Sequence, residues 1–434
     1  MTTPFTIADQ PTLFQSENPQ MRARAQNWVR FAGDDLRQRS FTGQKMSGAS
    51  LLDSDLSNTT LNDCDLSGAS FAGSLLEGAQ FDKCRMRGAD LRCDGQRPVG
   101  EPRHQAPYAA RLPDDMWRGA RFLGCLMPKA NAEGQIFDQT RFDETQMPNA
   151  WFAKASLREV GMRETWASEI DFTNASITDP DWSNSGFDHG FFDDCDIHNP
   201  YWRDCSFKQA SMSSVYIDGG GGIDTCDFNE TNLEDANLAV IAVHDSWFDR
   251  AWLRRSNWSG SGISRSSFDQ ADLTGARMNE SAFRRCRFDG AKLAVSAKNT
   301  DFTGCSFQGT ELYGARFEDC SFDEASFEGA DLMGATFINC SFDNADLREA
   351  GLLGATFTNC SVSNANLWAS QVEDPTKWPG ATFWDDLEDP NQACPLPEPA
   401  MAGEGTVLVR QHQTTTKTGQ KVPVREHRRN LGPR

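Results

Sequence analysis

A five-residue period constrains this chain more than any other feature, and it is clearest between Ala315 and Leu367. Every fifth residue in this stretch is large and apolar, and a small residue stands two positions before it. This period fits neither a 3.6-residue helix nor a two-residue strand. It indicates a repeat solenoid, in which each unit packs on its neighbours. The large residues are Phe317, Phe322, Phe327, Leu332, Phe337, Phe342, Leu347, Leu352, Phe357, Val362 and Leu367.

The segments GADLM and NADLR carry the repeat in its plainest form. They resemble the pentapeptide-repeat family, whose pattern is A(D/N)LXX. The resemblance implies an all-β fold, a right-handed quadrilateral parallel β-helix with one pentapeptide per face and four per coil. The large residue and its small partner would point inward, and the other three residues outward. Packing supports this arrangement, because alternating large and small side chains fill a core without voids.

The repeats span residues 31–372 and amount to about 65 pentapeptides, or about 16 coils. Residues 92–111 have no repeat and are rich in arginine and proline, which predicts a loop projecting from the coil. The glycines of residues 218–222 add one residue and predict a tight bulge. A second short break is expected at residues 294–301. Pro180 and Pro200 precede large tryptophans, and the face that carries them should also bulge.

Both ends of the chain differ from the repeats. Residues 1–30 form an N-terminal segment, and the pattern within residues 17–38 predicts a short helix that caps the first coil. Residues 373–406 predict a C-terminal cap followed by a Pro/Gly-rich linker. Residues 407–434 hold seven Lys/Arg against one acid, and two similar Val-x-Val-Arg segments flank a turn. This pattern predicts a basic β-hairpin that orders mainly against a partner.

Net charge and cysteine positions bear on the cellular location of the protein. The formal net charge is -20, so the chain outside the basic tail carries -26. Eleven of the 13 cysteines occupy small inward positions, where they serve as small buried hydrophobes. Reduced thiols and the absence of a signal-like N-terminus predict a cytoplasmic protein. No apolar run is long enough for a membrane span, and no cofactor motif is present.

The sequence offers no convincing active site. General acid–base catalysis needs carboxylates held in a cleft that shifts their pKa values, and a filled coil provides none. The densest group of potential ligands should diverge around a corner and is better interpreted as solvated surface than as a metal site. It comprises His189, Asp193, Asp194, Asp196 and His198. No catalytic triad and no G-x-S-x-G motif can be assigned.

Three functions remain open. The first is a non-catalytic, rigid scaffold that holds protein partners within a larger assembly and docks through its basic tail. The second follows from the family resemblance: some members mimic DNA and protect DNA gyrase or topoisomerase IV, and they dimerise through a coil end. The third, direct nucleic-acid binding, would use only the tail. Candidate partner-binding residues are Arg97, Arg103, His104, Arg410, His412, Arg425, His427, Arg428 and Arg429.

Overall fold

The computed structural model describes residues 34–92, 117–367 and 370, together with the backbone of two strands near the C-terminus. The chain divides into two compact units, Met1–Phe383 and Trp384–Arg434. Of the loop predicted at 92–111, only Arg92 is among the described residues, and the predicted cap at 373–406 lies outside them. So does most of the predicted N-terminal helix, but residues 34–38 already belong to the coil, where Asp35 bridges to Asp55.

The first unit is a parallel β-solenoid of about 15 turns. Its described strands are three residues long, as expected for a chain that turns a corner every five residues. They are β1 Ser40–Thr42, β2 Thr60–Asn62, β3 Gln80–Asp82, β4 Arg121–Leu123, β5 Ile136–Asp138, β6 Arg141–Asp143, β7 Ser156–Arg158, β8 Gly161–Arg163, β9 Ser176–Thr178, β10 Asp181–Ser183, β11 Asp196–His198, β12 Tyr201–Arg203, β13 Tyr216–Asp218, β14 Gly222–Asp224, β15 Ala242–His244, β16 Gly262–Ser264, β17 Ala282–Arg284, β18 Ser296–Lys298, β19 Arg316–Glu318, β20 Thr336–Ile338 and β21 Thr356–Thr358. In the second unit, β22 Gln411–Thr415 pairs antiparallel with β23 Lys421–Arg425.

Four faces surround the core, and each is built by stacking the same position of successive coils. Face 3 carries a 12-stranded sheet from β1 to β17, and face 2 carries a five-stranded and a four-stranded sheet. Faces 1 and 4 are held by single bridges between coils. The inward residues that define the faces in three successive coils are Ala132, Phe152 and Phe172 on face 1; Phe137, Leu157 and Ile177 on face 2; Phe122, Phe142 and Met162 on face 3; and Met127, Met147 and Ala167 on face 4.

Between the described coils the register is twenty residues, with three exceptions. Phe81 pairs with Phe122, so this coil contains 21 additional residues, most of them in the basic segment that the sequence predicted to project. The indole of Trp117, the first described residue after this insertion, donates a hydrogen bond to the Leu91 carbonyl at 3.1 Å. The repeat therefore resumes directly where it was interrupted, and the core continues across the insertion.

The second exception is the glycine segment. Trp202 pairs with Ile223, one residue more than a full coil. Gly219 has φ +97°, and a Cβ atom on Gly221 would lie 2.1 Å from the Pro200 carbonyl oxygen. Close backbone approach therefore requires glycine here. The bulge predicted at the prolines is wrong, because Trp182 pairs directly with Trp202, and the extra residue enters only in the next coil.

The third exception corrects the break predicted at residues 294–301. Ser296–Lys298 is a strand that pairs with β19, and Val295 and Ala297 both point into the core. Ala282 pairs with Asp301, so this coil is merely one residue shorter than the others. The interruption in the sequence pattern reflects this deletion and an undersized inward residue, Ala297, rather than a departure from the solenoid.

The core consists of ladders of like side chains, as the inward pattern predicts. Phe228, Phe248 and Phe268 stack with centroids 4.8 and 4.9 Å apart and rings within 5° of parallel. Ser, Thr and Cys at small inward positions are satisfied by a recurring bond to the coil before them. The Thr140 hydroxyl donates to the Trp117 carbonyl at 2.9 Å, and the Cys84 thiol donates to the Leu61 carbonyl at 3.3 Å. Polar atoms at these positions are thereby buried without losing their partners.

Cysteine follows the predicted pattern. The eleven inward cysteines are free thiols; ten are buried and Cys360, on the last described coil, is half-buried. Burial raises the pKa of the Cys195 thiol to about 12. Because a protonated thiol is a poor nucleophile and a poor metal ligand, Cys195 serves packing.

Candidate protein-binding surface

The outward residues divide the solenoid into segments of opposite charge. Residues 164–249, which we call the acidic belt, contain 18 Asp/Glu and two Lys/Arg, a net charge of -16. Residues 250–316, the basic belt, contain 11 Lys/Arg and six Asp/Glu, a net charge of +5. Residues 317–349 return to a net charge of -8. The charge of the body is therefore concentrated in particular coils rather than spread along it.

The carboxylates of the acidic belt surround the solenoid. All eighteen are exposed or half-buried, and each of the four faces carries at least three. The faces carry, in order, Asp171, Asp193, Asp194, Glu234 and Asp235; Asp179, Asp196 and Asp218; Glu164, Asp181, Asp204, Asp224 and Asp245; and Glu169, Asp188, Asp227, Glu230 and Asp249.

Neutralisation of the belt is uneven. At its C-terminal edge, arginines of the basic belt reach back one coil: Arg250 to Glu230 at 2.6 Å and Arg265 to Asp245 at 2.6 Å. At its N-terminal half, four exposed carboxylates make no ion pair within the described residues. These are Glu164, Glu169, Asp194 and Asp204. The strongest uncompensated negative charge therefore lies in the two coils between Glu164 and Asp204.

The potential ligand group identified in the sequence is split by the fold. Asp193 accepts hydrogen bonds from Ser211 and Ser213 on face 1, and His189 lies on a corner of face 4. Only Asp196 and His198 come together, on face 2. The described residues contain no group of three or more side chains arranged to hold a metal ion.

His198 instead lies within a polar cluster on face 2. Its Nδ1 is 2.5 Å from Asp218 Oδ1 and its Nε2 is 3.0 Å from Asp196 Oδ1. The Tyr216 hydroxyl donates to the other Asp218 oxygen at 2.9 Å. The hydrogen bond with Asp218 raises the pKa of His198. Burial opposes ionisation of Asp218, but the bonds from His198 and Tyr216 lower its pKa overall.

This cluster predicts a pH-dependent contribution to stability. A histidine whose folded pKa is raised stabilises the fold fully below its unfolded pKa of about 6.5, and this contribution is lost as pH rises through the folded pKa. We expect His198→Gln to lower the melting temperature at pH 5.5 by more than at pH 8.5. Equal losses at both pH values would contradict the assignment. His244, which pairs with the Ser264 hydroxyl rather than a carboxylate, is the matched control.

Outward aromatic residues were not singled out by the sequence analysis. Trp166 is 60% exposed and Trp252 is 61% exposed, on faces 4 and 1. Face 1 also carries Tyr313, Met333 and Leu353 as an exposed ladder in successive coils. A signal for all of them was present: each is a large side chain at a repeat position that points outward.

Most of the predicted partner-binding residues lie outside the described residues: Arg97, Arg103, His104, Arg410, His427, Arg428 and Arg429. The other two lie on the paired strands of the second unit. His412 is in register with Val424, and Arg425 with Gln411. The turn predicted in the tail, residues 416–420, lies outside the described residues.

The five-residue repeat builds inward columns and a four-faced coil, and models of a protein family match parts of the same sequence. Together these observations identify the family. Two models described as pentapeptide repeats match the chain, one over residues 35–71, 61–92, 266–294 and 300–337 and the other over residues 322–366. The chain is a pentapeptide-repeat protein. The coils between residues 117 and 265, which these models do not match, follow the same register in the structure of this pentapeptide-repeat protein.

Several solved structures are similar to this pentapeptide-repeat protein. A trypsin-treated form of QnrB1, a plasmid-mediated fluoroquinolone resistance protein, is 19% identical, with a TM-score of 0.31 over 43% of this chain and 92% of that one. HetL, from the cyanobacterium Nostoc sp. strain PCC 7120, is involved in heterocyst differentiation regulation. It is 16% identical, with a TM-score of 0.19 over 80% of this chain and 95% of that one.

The receptor-binding domain of the siphovirus 9NA tailspike is 12% identical, with a TM-score of 0.24 over 90% of this chain and 81% of that one. Comparison with curated protein sequences found no match. The described part of the chain has no helix with the length and apolarity needed to cross a bilayer.

Proposed function

We propose that this protein is a non-catalytic binding protein whose acidic belt occupies a protein surface that otherwise holds nucleic acid. The supporting observation is the linear charge density of the belt. At a rise of about 4.8 Å per coil, its 86 residues extend about 20 Å. A net charge of -16 over that length is about one charge per 1.3 Å, whereas double-stranded DNA carries about one per 1.7 Å.

The placement of the charges supports the same function. They surround the coil, as phosphates surround a duplex, and they are fixed on a rod rather than on mobile loops. A rigid charged surface loses little conformational entropy on binding. It also accelerates association with a cationic partner, in a way that weakens with salt. The free thiols among the described cysteines favour a reducing, cytoplasmic location for this encounter.

The candidate partners are the type II topoisomerases, DNA gyrase and topoisomerase IV, that the family resemblance implies. The test is displacement of a fluorescent duplex from each purified enzyme by the full chain, followed by anisotropy. We expect displacement that weakens as salt rises. A variant without four belt carboxylates should displace the same amount of duplex only at about tenfold higher concentration, because four interfacial charges of about 0.3 kcal/mol or more each are removed. Its substitutions are Glu164→Gln, Glu169→Gln, Asp194→Asn and Asp204→Asn.

The matched control removes four carboxylates elsewhere: Asp63→Asn, Glu280→Gln, Glu324→Gln and Glu349→Gln. All eight residues are exposed and occupy left-handed corner positions, with φ between 51° and 59°. The control should displace the duplex about as well as the unaltered chain. If both sets of substitutions weaken displacement equally, the effect depends only on net charge, and the belt is rejected as the binding surface. Failure to displace DNA from either enzyme would reject the function and favour the second candidate.

The second candidate is a scaffold that docks into a larger assembly through its basic tail. The observation that favours it is the antiparallel pairing of β22 with β23, because a two-stranded hairpin alone is marginal in water and is stabilised by a partner. Comparing partners captured by the full chain and by a chain ending at Gly405 separates the two functions. Topoisomerase subunits captured by both chains favour the acidic belt; a different assembly captured only by the full chain favours the tail.

A further inference from the structure

A second feature of the acidic belt is a cleft at the corner where face 3 meets face 4. It has a volume of about 540 Å³. Its lining combines the exposed indole of Trp166 with small polar groups and with three carboxylates, Glu144, Glu164 and Asp204. Other aromatic side chains of the belt are also exposed, namely Phe191, Tyr201 and Tyr216, but this cleft places an exposed indole beside three carboxylates.

The indole of Trp166 lies along the surface of the solenoid. In the next coil its column contains Gly186, where a Cβ atom would be 2.9 Å from Trp166 Cε3. Glycine therefore makes room for the six-membered ring to pass over the backbone. With 60% of the residue exposed, the opposite ring face is open to solvent. In the described residues this indole makes no ring contact and no side-chain hydrogen bond.

Carboxylates flank this ring. Glu144 and Glu164 occupy the same corner position in successive coils, about 4.8 Å apart, and each precedes the column of Trp166 by two residues. Neither makes an ion pair within the described residues. The neighbouring cation, Arg163, is directed to Asp143 at 4.0 Å. The ring and the carboxylates are thus both available to a single incoming group.

We propose that this cleft binds an arginine side chain of the partner protein. A guanidinium is planar, stacks on an indole face and donates in-plane N–H groups to carboxylates beside the ring. Tryptophan and arginine are also the residues that most often dominate binding energy at protein interfaces. This inference rests on the proposed function, since it assigns an anchor point within the acidic belt.

The chain provides its own comparison in Trp252, which is equally exposed. The cleft of about 460 Å³ beside Trp252 is lined by three cations, Arg250, Arg254 and Lys292, and by only two carboxylates. A guanidinium approaching this indole meets like charge. Trp252→Ala is therefore a control that removes an exposed indole of the same size from an electrostatically opposite site.

The experiment measures binding of fluorescent hexa-arginine and hexa-lysine peptides to the full chain at low salt. We expect Trp166→Ala to weaken hexa-arginine binding about fivefold and hexa-lysine binding by less, because arginine stacks better. Trp166→Phe should restore part of the loss, and Trp252→Ala should leave both affinities unchanged. Trp166→Ala retains every carboxylate of the belt, so its effect cannot arise from net charge.

Equal hexa-arginine affinities for Trp166→Ala, Trp252→Ala and the unaltered chain would overturn the proposal. If the cleft is wrong but the belt is right, the four-carboxylate variant will lose hexa-arginine binding while Trp166→Ala retains it. If the acidic belt is not a binding surface, neither the four-carboxylate variant nor Trp166→Ala will change hexa-arginine affinity. Displacement of DNA from a topoisomerase is measured separately, so a failure of that function is distinguishable from a failure of this site.

Discussion

Phe337→Asp will unfold the C-terminal coils of the solenoid. Phe337 is fully buried and stacks between Phe317 at 5.3 Å and Phe357 at 4.7 Å. The substitution removes these two contacts and two edge-to-face contacts with Phe322 and Phe342, opens a cavity and places a carboxylate where no partner is available. The combined cost is about 5 kcal/mol or more, which few domains can tolerate.

Because each coil contacts only its neighbours, the loss should be local at first. Hydrogen exchange should rise in the coils after Arg316 while the coils before it stay protected, and thermal unfolding should begin at lower temperature. Thr336→Asp, one residue earlier on the same strand but outward, should change stability by about 0.5 kcal/mol or less. An unchanged melting temperature for Phe337→Asp would contradict the inward register.

Gly221→Ala will destabilise the middle of the solenoid, whereas the same change at Gly222 will not. The new Cβ at position 221 would lie 2.1 Å from the Pro200 carbonyl oxygen and 2.6 Å from the Asn199 carbonyl carbon. Both obstacles are backbone, so no side chain can move aside. We expect a loss of about 2–3 kcal/mol, typical of forced overpacking.

Gly222→Ala is the control, because a Cβ there meets nothing within 4 Å and its backbone is not left-handed. It should be neutral or stabilising by up to about 1 kcal/mol, since alanine lowers the entropy of the unfolded chain. Chemical unfolding monitored by circular dichroism measures the stability change of both variants. Similar behaviour of the two variants would show that the glycine segment is not held against the Asn199–Pro200 corner.

The corners explain why one simple pattern sufficed to predict the coil. The fifth residue of most repeats has a left-handed backbone, as at Asn174 with φ 58° and Asn184 with φ 49°. Asparagine, aspartate and glycine tolerate this conformation best, and they recur there. Val240 stands at such a corner with φ 59°, so the stacked coils impose the conformation even on a β-branched residue.

Where the pattern weakened, packing decided the result. Trp182 and Trp202 stack 5.4 Å apart and 11° from parallel, with both indole N–H groups buried without a partner. The sequence offered these oversized residues and their prolines as signs of a distorted face, yet the register between them is regular. The coil absorbs a larger ring by stacking it on an equal one, which a linear pattern cannot express.

The sequence by itself determined the inward residues, the coil and the position of the additional glycine, because a strict period leaves only one set of side chains that can fill a closed core. Tertiary structure decided which outward residues meet. Trp166 and Asp204 share a cleft although 38 positions separate them, and Glu144 joins them from one coil below. Such groupings depend on the exact stacking of coils, which an insertion, a bulge and a one-residue deletion shift along the chain.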